Sequence, residues 1–225
     1  MIASWPCPTP GGETQAELAI RFDRKRPKRL LVLPALFDEG NKLRKQTVEV
    51  MRRLAHSGID CFLPDLPGFN ESLQPLEAQS LETLRQAATE AAHHFSATHV
   101  LTIRAGAILA PQDLPGWRYA GTGGANVLRA MMRARIVASR EAGRDEQTSS
   151  LAELGRRDGL DLAGYRIGPQ LFAQLETSHL PDTGRLSDVD QETVGGSGLW
   201  LRAEPSESAG QADALAAIIA MGLLA

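Results

Sequence analysis

The segment Thr98 to Ala110, T-H-V-L-T-I-R-A-G-A-I-L-A, has the make-up of a buried strand that bends sharply at Ala105-Gly106 and runs on into an apolar helical segment. A bend of this kind lifts one side chain above a sheet, and where it presents a nucleophile the five residues read G-x-S-x-G. Here the five are Thr102, Ile103, Arg104, Ala105 and Gly106. The final glycine is kept, the first is replaced by Thr102, and the nucleophile's place is held by Arg104. A guanidinium stays protonated throughout the biological pH range, so it donates hydrogen bonds and does not attack a carbonyl. The chemistry open to Arg104 is pairing with a carboxylate or a phosphate.

Nucleophilic catalysis on such a bend also needs an acid and then a histidine further along the chain. His179 is the only histidine after Arg104, and it ends an amphipathic stretch, where a helix-terminal surface cation is the simpler reading. The segment E-P-S-E-S-A-G-Q after the last expected strand holds no histidine. His93, His94 and His99 surround the start of the strand, at the end away from the bend, and His56 precedes a helix stop. Ser72 and Ser197 are alternative hydroxyls, and both read as turn residues. No H-x-x-x-H or Cys/His cluster offers a metal site. Gly121 to Gly124, G-T-G-G, lacks both G-x-G-x-x-G and a Walker lysine, so it reads as a loop that lets a helix start close to a strand. No cofactor and no metal are expected.

The elements that must position Arg104 follow from the spacing of apolar residues. Leu30 to Leu33 is a wholly apolar run, the pattern of a strand buried on both faces. Leu43, Thr47, Val50, Met51 and Leu54 recur at helical spacing up to Ser57-Gly58, and Ile59 to Leu63 is the next buried strand. Ser80 caps a helix carrying Leu81, Leu84, Ala88, Ala91 and Phe95 on one stripe. Strand, helix, strand, helix, strand predicts a doubly wound, mostly parallel α/β sheet with right-handed crossovers. Residues 1 to 13 read as irregular, Ala16 to Phe22 as an edge strand, and Asp23 to Arg29 as a charged hairpin turn. Beyond the bend come a weak strand at Gly116 to Ala120, a long helix with an Arg-rich face, and a polar linker from Glu141 to Ser150. Short elements at Leu151 to Arg157, Leu160 to Tyr165 and Pro169 to Leu180 follow. The sheet is expected to resume at Leu186 to Val189 and Leu199 to Ala203, ahead of an Ala-rich helix from Ala209 to Leu224. Residues 1–225 form one domain on this reading, with 141–182 as a small helical cap insertion.

In such a sheet the loops at the carboxyl ends of the strands converge on one crevice. Those loops supply Asp38, Glu39, Asn41, Lys42 and Arg44, then Asp65, Asn70 and Glu71, then Arg104. The set is either a ligand pocket or a salt-bridge network. The network is favoured for Asp65 and the pocket for Lys42 and Arg104. Beside a helix start Arg104 needs an anion, and Asp38, Glu39 and Asp65 are the internal candidates. Arg129, Arg133 and Arg135 form either a grip for an acidic partner or a solvated helix face.

Charge narrows the partners. The 225 residues carry 24 Lys+Arg against 27 Asp+Glu, a formal net charge of -3, which gives no global field for nucleic acid. Cys7 and Cys61 are the only cysteines and suggest a reducing compartment. No basic segment precedes an apolar run at the start, and no stretch reaches the roughly 18 apolar residues of a membrane span. A cytoplasmic location is expected.

Several blocks carry a resemblance. L-P-A-L-F-D-E-G-N-K-L-R-K (Leu33 to Lys45), L-P-D-L-P-G (Leu63 to Gly68), I-R-A-G-A-I-L-A (Ile103 to Ala110), G-A-N-V-L-R-A-M-M-R-A-R (Gly124 to Arg135), D-L-A-G-Y-R-I-G-P-Q-L (Asp161 to Leu171) and G-L-W-L-R-A-E-P (Gly198 to Pro205) span most of the chain. In this order they resemble the exosortase A system-associated hydrolase 2 family, α/β-hydrolase-fold proteins encoded near bacterial exopolysaccharide and protein-sorting machinery. The resemblance implies an α/β-hydrolase fold and a role beside polysaccharide export. With Arg104 at the degenerate nucleophile elbow, the expected function is non-catalytic binding of a partner or an anionic small molecule, such as a sugar or lipid-linked intermediate. The alternative is a true ester or amide hydrolase with a rearranged nucleophile.

Overall fold

The computed structural model of the chain describes residues 1–182 and 184–224. Strands β3 (Arg29–Leu33), β4 (Asp60–Pro64) and β5 (His99–Ile103) form the middle of a seven-stranded sheet, and their side chains are buried on both faces. Leu30 and Val32 point to one face, Leu31 and Leu33 to the other, so each short apolar run fills two core layers. Helices α1 (Asp38–His56) and α7 (Ala209–Leu224) cover the first face, where Leu43, Val50 and Leu54 pack with Leu215 and Ile219. Helix α2 (Leu81–His94) covers the second, with Leu84, Ala88 and Ala91 inward. It opens with a reciprocal capping box, in which the Ser80 hydroxyl accepts the Thr83 N–H and the Thr83 hydroxyl accepts the Ser80 N–H.

With β1 (Ile2–Pro8), β2 (Thr14–Phe22), β6 (Gly116–Tyr119) and β9 (Leu186–Val189), the strand order is β1-β2-β4-β3-β5-β6-β9. β1 and β2 pair antiparallel, β2 meets β4 antiparallel, and the remaining pairs are parallel. The order reverses between β3 and β5, which places the topological switch point at the carboxyl ends of these two strands.

Between β6 and β9 the chain leaves the sheet. Helices α3 (Gly124–Glu141), α4 (Thr148–Asp158) and α5 (Pro169–Thr177) pack on one another beside the hairpin of β7 (Leu160–Leu162) and β8 (Tyr165–Ile167). Their apolar residues Leu151, Leu162, Phe172 and Leu175 join the α2 side of the core. Gly123 and Gly124 serve this layer rather than a strand. A Cβ on Gly123 would lie 2.8 Å from the Ser178 carbonyl oxygen, and one on Gly124 would lie 2.8 Å from Leu175 Cδ2. The polar stretch from Glu141 to Ser150 is tied back by Glu146, which accepts from Arg135 Nε at 3.0 Å and from the Ser139 hydroxyl.

Three sequence expectations are corrected here. The first residues are not irregular: β1 is an edge strand in which Trp5 and Cys7 are buried, and Pro6 and Pro8 are tolerated because only one side of the strand is paired. Leu199 to Ala203 is not a strand. Residues Leu199–Leu201 form a single 3₁₀ turn after two left-handed glycines, Gly195 and Gly196, and the short α6 (Gln191–Val194). The apolar segment after the bend is no full helix either, but a 3₁₀ helix, Arg104–Leu109, that stops before Pro111.

Candidate functional site

The crevice at the switch point is built from the first residues beyond β3, β4, β5 and β6. Each of these exits carries a non-glycine residue with left-handed backbone: Phe37 (φ 57°), Asn70 (φ 52°), Arg104 (φ 52°) and Ala120 (φ 45°). Such backbone is costly and persists only where the surroundings enforce it. At Arg104 the enforcement comes from Gly106. A Cβ there would lie 2.3 Å from the Pro34 carbonyl oxygen and 2.8 Å from that of Leu33, so the turn presses directly on the end of β3.

The Arg104 guanidinium is held from two sides, by Glu39 and by the chain beyond β6. Its Nε and Nη2 donate to Glu39 Oε2 and Oε1, both at 3.0 Å, and its Nη1 donates to the Ala120 carbonyl at 2.8 Å. Its Cζ lies 4.2 Å from the centre of the Trp200 ring, close enough for a cation–π contact. Trp200 packs in turn against Tyr119, whose hydroxyl donates to Gln191 Oε1 and whose burial pushes its pKa up to about 12. Because the following helix is a short 3₁₀ turn, the expected repulsion from a helix dipole has little to act through.

The other candidates fall into separate pairs. Arg44 Nη1 meets Asp65 Oδ1 at 3.0 Å, and Asn70 Nδ2 donates to the same oxygen at 3.1 Å. Asp65 is 1% exposed, and burial raises its pKa although Arg44 and Asn70 oppose the shift. Lys42 Nζ pairs with Asp38 Oδ2 at 2.7 Å, one helical turn back. Exposed Asn41 donates to the Tyr165 hydroxyl at 2.9 Å, which links α1 to the β7–β8 hairpin. Over these pairs the rings of Phe37, Phe69 and Tyr165 stack edge-on and tilted, with centres 5.4 to 5.9 Å apart. The space left beneath them, between Pro34, Leu36, Arg44 and Leu63, is about 10 Å³, room for about one water.

The alternative nucleophiles stand elsewhere. The Ser72 hydroxyl donates to buried Glu17 at 2.7 Å and accepts the Gly68 N–H at 3.0 Å, so its partner is a carboxylate and not an imidazole. Ser197 contributes its carbonyl to Gln211. His179 is exposed beyond the end of α5. His99 stacks on Trp117 at the amino end of β5, and burial followed by the charge of Lys28 lowers its pKa. Arg135 is used internally, while Arg129 and Arg133 are exposed on α3. Trp200 and the Ala120 carbonyl are the members of the site that sequence reasoning missed.

No protein-family model matches the sequence, and no match was found among curated proteins. Solved structures do match. Mouse alpha/beta hydrolase domain-containing protein 10 superposes over 100% of both chains with a TM-score of 0.56 at 11% identity. The fold is that of the α/β-hydrolases. Est1E from Butyrivibrio proteoclasticus, solved with ferulic acid bound, covers 93% of this chain and 94% of its own at 11% identity and a TM-score of 0.47. A protein from Agrobacterium vitis S4 covers 62% of this chain at 12% identity and a TM-score of 0.45, and this chain spans 60% of its length. At such identities the likeness carries the α/β-hydrolase fold alone. No helix among the described residues is long and apolar enough to cross a membrane.

Proposed function

We propose that this chain is a catalytically degenerate α/β-hydrolase-fold protein that binds a ligand or partner and performs no hydrolysis. The observation that carries this reading is the lock on Arg104. The residue at the nucleophile's place has the left-handed backbone of an elbow, and three of its five N–H groups donate to Glu39 and the Ala120 carbonyl. Arg104 is then mainly a strut across the former active site, and the other candidates, Asp38, Asn41, Lys42, Arg44 and Asp65, serve either the same network or a ligand at its rim. An anionic sugar or lipid-linked intermediate would compete with Glu39 for Arg104. The association with exopolysaccharide and exosortase systems rests on the sequence blocks from Leu33 to Pro205, and 141–182 is the cap of this reading.

A screen of short-chain p-nitrophenyl esters tests it. The expected result is no turnover above buffer for the wild type, Arg104→Ala, Ser72→Ala or Ser197→Ala. Turnover by the wild type that disappears in a single serine variant would establish the rearranged hydrolase instead.

A further inference from the structure

At the other end of the sheet, where β3 and β4 begin, a cleft of about 360 Å³ opens between the turn after β2 and the last turn of α1. Arg21, Arg24, Arg26, Arg52 and His56 line it, against the carboxylates of Asp23 and Asp60. Both carboxylates are already engaged. Fully buried Asp60 accepts the backbone N–H groups of Arg24 at 3.1 Å and Arg26 at 2.8 Å, and Arg29 Nη1 at 3.3 Å. Asp23 accepts the Lys25 N–H at 3.0 Å and Arg29 Nη1 at 3.1 Å. These bonds hold the turn with Lys25 in left-handed backbone, and Arg26 fastens it to α1 by donating to the Ala55 carbonyl at 2.7 Å. The cleft is therefore a built structure and not a flexible hairpin tip.

Its cations are not balanced. Among the described residues the side chains of Arg24 and His56 make no ion pair, and Arg52 shares Glu49 with Arg53. Arg21 reaches Asp23 only at 3.7 Å, and its Nε is buried with no hydrogen-bond partner. The Arg21 side chain as a whole is 41% exposed, so its terminal nitrogens are open to an incoming anion. Guanidinium groups match the oxygens of phosphate in geometry as well as charge. Phe22 and Ala55 supply an apolar wall beside them, and the volume lies within the range of small-molecule sites.

We propose that this cleft binds a small phosphorylated molecule, with the phosphate on Arg21 and Arg24 and the organic part against Phe22. The site lies at the opposite end of the strands from Arg104, so it stands or falls separately from the reading of the crevice.

Titration calorimetry of the full chain at low ionic strength, with inorganic phosphate, phenyl phosphate and phenol as probes, tests the proposal. Phosphate is expected to bind with a Kd of about 1 mM or tighter. Phenyl phosphate binds more tightly than phosphate, and phenol does not bind. Arg24→Glu, on an exposed side chain without an ion pair, weakens both phosphates at least tenfold without lowering the melting temperature, and Arg21→Ala weakens them too. Absence of heat with both phosphates, or an unchanged affinity in Arg24→Glu, overturns the proposal. So does loss of binding in Arg104→Met with retention in Arg24→Glu, which would place the anion in the crevice.

Discussion

Arg104 Nε and Nη2 meet Glu39 Oε2 and Oε1 in a two-pronged pair, each contact 3.0 Å long. Glu39 stands in the first turn of α1, just beyond β3, and Arg104 just beyond β5, so the pair bridges neighbouring strands at the switch point of the sheet. A ligand in an α/β sheet would ordinarily enter there. In this chain the two side chains hold each other instead, at 16% and 18% exposure.

Removing one partner should therefore be expensive. Glu39→Gln leaves a largely desolvated guanidinium with only neutral acceptors, and we expect a loss of roughly 1–3 kcal/mol in urea unfolding. A cycle with Arg104→Met should give a coupling of about 0.5–3 kcal/mol. A change within error for Glu39→Gln would mean that the pair does not support the fold.

The backbone at Arg104 makes a second prediction, independent of its charge. At φ 52° a glycine is unstrained and an alanine is not. Both variants lose the Glu39 pair, and Arg104→Gly should nevertheless be more stable than Arg104→Ala by about 0.5–1 kcal/mol. Thermal melts of the two variants decide it, and a more stable alanine variant would contradict an elbow at this position.

Gly106→Val addresses the same turn from its far side. The new side chain would meet backbone carbonyls of Leu33 and Pro34, which have little freedom to move. A destabilisation of about 1–3 kcal/mol is expected from overpacking. A melting temperature equal to wild type would show that the turn stands off β3.

Much of this was legible in the sequence, and the failures have physical causes. The buried strands at Leu30 to Leu33 and Ile59 to Leu63 announce themselves because a strand covered on both faces admits little but apolar residues. The elbow was legible from Gly106, and the need for an anion from the charge of Arg104. Glu39 could not be singled out from Asp38 and Asp65, since the choice depends on which helix face turns toward β5. β1 was hidden because Pro6 and Pro8 mask the alternation of Trp5 and Cys7, although prolines are compatible with an edge strand. The 3₁₀ turn at Leu199–Leu201 has the sequence of a strand because Leu, Trp and Leu favour either conformation. Its role became visible only when Trp200 was found against Arg104.

Asp65 gives a pH dependence whose sign follows from its environment. Burial raises its pKa above the ordinary 3.8, more than Arg44 and Asn70 lower it. The folded chain then holds this proton more tightly than the unfolded chain, so ionising Asp65 costs stability as pH rises from 3.8 through the raised value. Asp65→Asn removes that cost. Relative to wild type, the variant should gain stability in denaturant titrations as pH rises above 3.8. A variant that loses ground as pH rises would show that the Arg44 pair outweighs burial.

The central claim is that no serine of this chain is an activated nucleophile, because the elbow position is an arginine locked by Glu39. Intact-mass analysis of the purified protein after incubation with a fluorophosphonate probe tests it most directly. The account predicts an unmodified mass for the wild type and for Glu39→Gln. Stoichiometric addition of one probe that vanishes on a single serine substitution would contradict it.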